Sequence, residues 1–238
     1  MKISKDPEAK AEILRRMKEA DFQDRTGVHQ SDLVFCLNKA YLYKVEPIEP
    51  KESDILRWGR GVASQRYLTR SLYDEPTVEV DGIQVTPDAL WTDGNPWECK
   101  DTDASSNKQI TDSPHYLRQI MNQCKVLGKT TARISLLHNM GSWKWVYRPK
   151  DPVKIQALVD EYGEDWAAHP TLEVYKVEFT QAEIDENWKQ MVTRRDLYLK
   201  IHETGKLLPK PLALMSGADW ECNPAYCPYY YGCGCNDE

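Results

Sequence analysis

Apolar residues recur along the chain with two different periods, and the change from one to the other marks out its elements. Over residues 4–22 they fall at Ile13, Leu14, Met17 and Ala20 on a charged background, which is helical spacing. The segment HQSDLVFCLNKAYLY, residues 29–43, carries Leu33, Val34, Leu37, Ala40 and Tyr41, with Ser31 placed as its N-cap. A proline-bearing connector, VEPIEPKES, precedes a further helical stretch over 54–73, with Gly59 and Gly61 near its start. Alternation of period two then takes over in TVEV and IQVTPDAL, joined by Asp81-Gly82, a dipeptide suited to a two-residue hairpin. WECKDTD follows Asp93-Gly94 as a third strand. Ser113-Pro114 opens a helix running to about Leu127, with proline where its missing N–H is harmless. ARISLLHNMGSWKWVYR reads as a second hairpin, turning near Asn139–Gly141. A helix over 151–167, the alternating strand LEVYKVEFT and an amphipathic helix over 181–203 precede the loop-like tail DWECNPAYCPYYYGCGCNDE.

This order predicts a mixed α/β domain with a mainly antiparallel sheet flanked by helices, without internal repeats. The 238 residues suit one large domain or two small ones, and 41% hydrophobic with 29% charged residues is globular rather than disordered composition. No apolar run reaches the roughly 18 residues of a membrane helix, and the chain begins with charged residues. A cytoplasmic chain without a membrane partner is expected. Lys and Arg number 31 against 37 Asp and Glu, a net charge of −6, which excludes coating nucleic acid by bulk charge.

The sharpest chemistry lies between Asp88 and Lys100. Glu98 and Lys100 stand two apart in a strand and so project from one face. If the neighbouring strands pair, Asp88 approaches the same spot. Two carboxylates, with the Cys99 carbonyl as a third oxygen, suit a hard cation such as Mg²⁺ or Mn²⁺. A lysine beside that metal can hold an attacking water and neutralise charge building on a phosphate. Glu-x-Lys alone is common on solvated strands; its setting raises its weight.

Asp88, a spacer of nine residues, then Glu98-x-Lys100 on consecutive strands after a helix resembles the PD-(D/E)XK nuclease superfamily, down to Pro87-Asp88. RecB-like members carry Gly-x-x-x-His upstream; GVASQ, Gly61 to Gln65, matches with Gln65 in the histidine position. They also carry Gln-x-x-x-Tyr on the helix after the catalytic strand, where SPHYLRQIMNQC supplies Gln119 and places Gln123 at the tyrosine position. The resemblance implies a restriction-endonuclease-like fold and metal-dependent hydrolysis of DNA. Asp88, Glu98 and Cys99 would hold the metal, Lys100 would serve the water, and Gln119 and Gln65 would position lysine, metal or phosphate. His115 and Tyr116 are expected to cap or pack.

Seven cysteines, several at the far C-terminus, favour metal ligation over disulfides. Cys36 with Cys222, Cys227 and Cys233 resembles the iron–sulfur nucleases: CRISPR adaptation nucleases of the Cas-four type, AddB-like repair nucleases and related phage or archaeal exonucleases. The matching segments are SDLVFC and CPYYYGC. That resemblance implies a [4Fe-4S] cluster joining residues 31–45 to 216–238 within a nuclease domain over 31–238, with 1–30 as a helical extension. Cys233 is preferred to Cys235 as the last ligand, and zinc remains the competing metal. Such a staple would close a loop of 186 residues. Cys99 and Cys124 read as core residues.

The implied function is a deoxyribonuclease, an exonuclease on single strands or DNA ends in CRISPR adaptation, recombination, repair or viral DNA processing. Its partners would be DNA and other proteins of those processes. The alternative is a non-catalytic DNA-binding or scaffold protein keeping the fold and the cysteines. No nucleotide cofactor is expected: Leu127-Gly128-Lys129-Thr130 lacks the first glycine of a phosphate loop and leaves a helix. Tyr229–Tyr231 are the best base-stacking candidates. Arg194, Arg195, Lys206 and Lys210 read as a solvated face.

Overall fold

The computed structural model describes residues 5–21, 25–70, 77–141, 149–164, 166 and 169–234. Helices α1 (Pro7–Asp21), α2 (Gln30–Val34), α3 (Leu37–Val45) and α4 (Glu52–Thr69) precede strands β1 (Val78–Val80), β2 (Ile83–Val85), β3 (Ala89–Leu90) and β4 (Pro96–Thr102). Then come α5 (Pro114–Leu127), β5 (Thr131–His138), α6 (Pro152–Tyr162), β6 (Thr171–Glu178), α7 (Gln181–Thr204) and α8 (Lys210–Ala213). The first strand of the expected second hairpin is β5, and its return strand, residues 142–148, lies outside the described residues.

Asp81 and Gly82 both take the left-handed φ values, 51° and 68°, that a two-residue hairpin turn needs, so β1 and β2 pair antiparallel. They form a small separate sheet. The larger one has the order β3-β4-β5-β6 among the described residues. Its outer pairs are antiparallel, but the central pair, β4 with β5, is parallel. A helix joins those two strands, and a crossover of that length returns the chain in the same direction. Pairing among the described strands is thus mainly antiparallel, as expected, with a parallel pair at the centre of the larger sheet.

The expected helix over 29–43 is two helices. Its N-cap is His29, whose N–H donates to the Asp32 carboxylate at 3.0 Å, and not Ser31. It breaks at Phe35-Cys36, between α2 and α3. The helix after Asp151 ends at Tyr162, where Gly163 takes φ 83°. Residues 28 and 29 are not helical: the Val28 carbonyl accepts the Gln84 N–H at 2.8 Å, and His29 bridges Gln84. The segment leading into α2 is thereby tied to β2.

Helix α7 belongs to two cores. Ile184, in its first turns, packs with Ile120, Cys124, Ile134 and Leu136 between α5 and the sheet. Further along, Trp188, Met191, Tyr198 and Ile201 pack with Leu33, Val34, Leu37 and Ile83. Burying an aliphatic side chain of this size contributes about 1.5–3 kcal/mol. This one helix therefore holds the sheet and the N-terminal helices together.

Candidate functional site

Pairing of Ala89 with Trp97 and of Leu90 with Pro96 brings Asp88 opposite Glu98. The Cys99 N–H donates to Asp88 Oδ2 at 2.7 Å. On β4 the side chains of Glu98 and Lys100 share the face toward α5, as their spacing requires. Lys100 Nζ donates to Glu98 Oε1, and Gln123 Nε2, from α5, donates to Glu98 Oε2. Glu98 is buried, at 4% exposure, while a fifth of the Lys100 side chain reaches solvent. Burial works against the lysine's charge, but the carboxylates of Glu98 and Asp88 outweigh it and raise its pKa. Lys100 is therefore an ammonium at neutral pH.

Helix α5 brings more than Gln123. The Tyr116 ring lies 5.3 Å from Lys100 Nζ, a cation–π contact, and His115 stacks edge-on against Tyr116 at 4.2 Å. Burial and the Lys100 charge push the His115 imidazole down to about 4, so it is neutral at pH 7. Gln119 is buried and its Oε1 has no hydrogen-bond partner among the described residues. The Oε1 of Gln123 likewise has no partner there; the two glutamines differ in that the Gln123 amide N–H meets the Glu98 carboxylate.

Helix α4 covers the other face. Asp101, on that face, accepts from Arg60 Nε at 2.6 Å, Ser64 Oγ at 2.7 Å and Asn139 Nδ2 at 2.9 Å. This clamp fixes α4 so that Gln65 Nε2 donates to the Asp88 carbonyl at 3.4 Å. Gly61 is not required by any close approach, since a Cβ there would meet nothing within 4 Å. Sequence reasoning passed over Asp101, although it follows Lys100 directly; the period-two pattern that pairs Glu98 with Lys100 assigns Asp101 to the opposite face.

Four cysteines converge elsewhere, around Cys227. Cys227 is buried, Cys36, Cys222 and Cys233 are half-buried, and all four are free thiols. Cys222 and Cys233 lie close enough to Cys227, and Cys227 to Cys36, to couple electrostatically. Burial raises the Cys36 thiol to about 11 and also raises that of Cys227, so both are protonated at neutral pH. Cys235 lies outside the described residues. Among the described residues no group of three or more His, Cys, Asp or Glu side chains is arranged to hold a metal ion.

The break at Phe35-Cys36 is held by two buried charges. The Cys36 N–H donates to Glu221 Oε2 at 2.8 Å, and Lys39 Nζ meets Glu221 Oε1 at 3.2 Å. Arg194 donates to the carbonyls of Leu33, Phe35 and Ala213. Desolvation lowers its pKa to about 10, which leaves it charged. Arg194 is therefore no part of a solvated face. Helix ends leave backbone groups without partners, and here side chains from the far end of the chain supply them. Of the tyrosines, Tyr229 is buried with its hydroxyl on the Glu46 carbonyl at 2.7 Å, whereas Tyr231 is 83% exposed.

No helix among the described residues is long and apolar enough to cross a membrane. No family model matches the sequence, and no curated protein matches it. Among solved structures, SSO0001 aligns over 94% of this chain and 95% of its own, at 13% identity and a TM-score of 0.52. A phage-related exonuclease from Haemophilus somnus 129PT aligns over 70% and 81% at 10% identity and a TM-score of 0.43. An alkaline exonuclease from Laribacter hongkongensis aligns over 79% and 94% at 13% identity and a TM-score of 0.41. The last two scores are too low to establish a common fold; with SSO0001 this chain shares its fold across nearly the whole length of both.

Proposed function

We propose that the chain is a PD-(D/E)XK-type deoxyribonuclease that hydrolyses phosphodiester bonds on single strands or DNA ends. The observation that carries this reading is the meeting of Asp88, Glu98 and Lys100 where β3 passes β4, with Lys100 charged and partly open to solvent. Two carboxylates suit Mg²⁺ or Mn²⁺, which commonly bind one or two carboxylates and complete their shell with water and substrate phosphate. Asp88, Glu98 and the Cys99 carbonyl would hold such an ion, which would supply Lewis-acid charge to the scissile phosphate.

The chain's own groups supply the rest. Lys100 orients a water whose oxygen bonds to phosphorus as the bridging P–O bond breaks, a proton of that water ending on the departing oxygen, and its ammonium offsets the negative charge that develops. Gln123 fixes the Glu98 carboxylate, Gln65 braces Asp88 through its carbonyl, and the free Gln119 acceptor can hold a proton of the water or of the lysine. Cys36, Cys222, Cys227 and Cys233 would hold a [4Fe-4S] cluster in a structural role, once their thiols lose their protons.

A non-catalytic DNA-binding role is favoured by one observation: both Glu98 oxygens already carry partners, Lys100 and Gln123. Labelled single-stranded DNA with Mg²⁺ or Mn²⁺ decides between the two. The nuclease reading expects cleavage that is lost in Lys100→Ala, and Lys100-independent cleavage or none under either metal defeats it. For the cysteines, a brown protein absorbing near about 400 nm, bleached in Cys227→Ser, supports iron–sulfur. A colourless protein with stoichiometric zinc rules it out.

A further inference from the structure

A run of aromatic rings connects the Lys100 site to the cysteine region. From Tyr116 it passes to His115, then to Trp220 at 5.8 Å and on to Tyr226 at 5.5 Å. Phe35, at the helix break, braces it from behind at 5.5 Å from His115 and 6.4 Å from Trp220. The outer members are open: Trp220 is 44% and Tyr226 57% exposed, unusual for rings of this size beside a packed core. They meet at 88°, edge to face, so neither covers both faces of the other. Both line a groove of about 790 Å³, which Trp58 of α4 also lines.

The groove is not acidic, although the chain is. Each carboxylate lining it has a cation: Glu221 has Lys39, Asp32 has Lys44, Glu49 has Lys18 and Asp54 has Arg57. Arg25 and Lys51 line it in addition. Four cations, Arg25, Lys39, Lys51 and Arg57, thus line it with four carboxylates. Open aromatic faces beside cations, in a groove whose acids are all paired, are what an unpaired strand requires. Its bases present π-faces, its phosphates need local positive charge, and the bases of a duplex are already stacked.

We propose that Trp220 and Tyr226 are a stacking platform for the bases of single-stranded DNA, and that His115 and Tyr116 continue the strand's path to Lys100. This rests on the nuclease reading and adds to it the form of the substrate and the face by which it enters. The four rings come from two distant parts of the chain, residues 115–116 and 220–226, joined only by the fold.

The test is anisotropy of a labelled oligothymidylate on the full chain in EDTA, where no metal-dependent cleavage competes. Trp220→Leu should weaken binding by roughly 5- to 100-fold, the range of one lost base–aromatic stack. Trp220→Phe should keep most of the affinity, and the weaker binding of a duplex should be the same for both. If Trp220→Leu lowers the melting temperature, Tyr226→Leu decides instead, since its largely exposed ring contributes little to packing. Unchanged single-strand affinity in the folded leucine variant overturns the platform, as does an equal loss on duplex. The cleavage test is separate. Absent cleavage with Trp220-dependent binding defeats the nuclease and leaves the platform; Lys100-dependent cleavage with Trp220-independent binding does the reverse.

Discussion

The two polar centres of this molecule are built in opposite ways. At the Asp88–Lys100 site the charged groups lie within thirteen residues of one another, and strand register alone brings them together. Around the cysteines the groups come from residues 33–39, 194 and 221–233, and tertiary packing must first deliver them. Their charges are also employed differently. Glu98 and Lys100 answer each other, with the lysine reaching solvent, as suits groups that act on a substrate. Arg194 and Glu221 are turned toward backbone carbonyls and an N–H, as suits groups that hold a helix break in place.

Substitutions should separate the two. The largest effect is expected for Lys100→Ala on cleavage, a loss of about 10²- to 10³-fold, typical of removing one charge-stabilising donor at a reacting centre. Circular dichroism should show the fold retained. If the variant unfolds, the ion pair is architectural and the contrast with the cysteine region collapses. Next is Arg194→Leu, which strips three backbone carbonyls of their donor. Leaving buried acceptors unsatisfied costs about 1–3 kcal/mol each, so urea unfolding should show a loss of roughly 3 kcal/mol or more. A stable Arg194→Leu protein deficient only in cleavage would place Arg194 in the chemistry instead.

Glu221→Gln should cost less, about 1–2 kcal/mol, because its amide oxygen can still accept from Cys36 N–H while the charge facing Lys39 is lost. Glu221→Leu should exceed it, and equal values for the two would remove Glu221 from the clasp.

A further effect concerns pH. His115 has a folded pKa near 4 against about 6.5 unfolded. A depressed histidine pKa means that the unfolded chain binds the proton first. Stability is therefore complete above about pH 6.5 and declines as pH falls toward 4. His115→Phe, which keeps a ring between Tyr116 and Trp220, should flatten that acid limb in melting curves taken across the window. An unaltered limb would show that His115 is more open than its packing implies.

Much of the fold was legible because its signals are local. The Asp81-Gly82 turn, the Ser113-Pro114 helix start and the alternation of Glu98 and Lys100 each depend on backbone sterics over a few residues. The helix break at Phe35-Cys36 was not legible, because Leu33, Val34, Leu37 and Ala40 keep helical spacing across it. The break exists only because Arg194 and Glu221 satisfy the groups it exposes. The same reason hid the role of Gln123. At the tyrosine position of a motif it reads as a defect, and only the packing of α5 on β4 places its amide on Glu98.

By itself, then, the sequence determined most of the elements though not their every boundary, the turn chemistry and the face shared by Glu98 and Lys100, since periodicity and steric preference act within a few residues. The parallel pairing at the centre of the sheet, the partners of Arg194, Glu221 and Gln123, and the run of rings from Tyr116 to Tyr226 were decided only in three dimensions. Each depends on which surfaces of distant segments meet. That is settled by burying apolar area and pairing the polar groups buried with it, which no local pattern encodes.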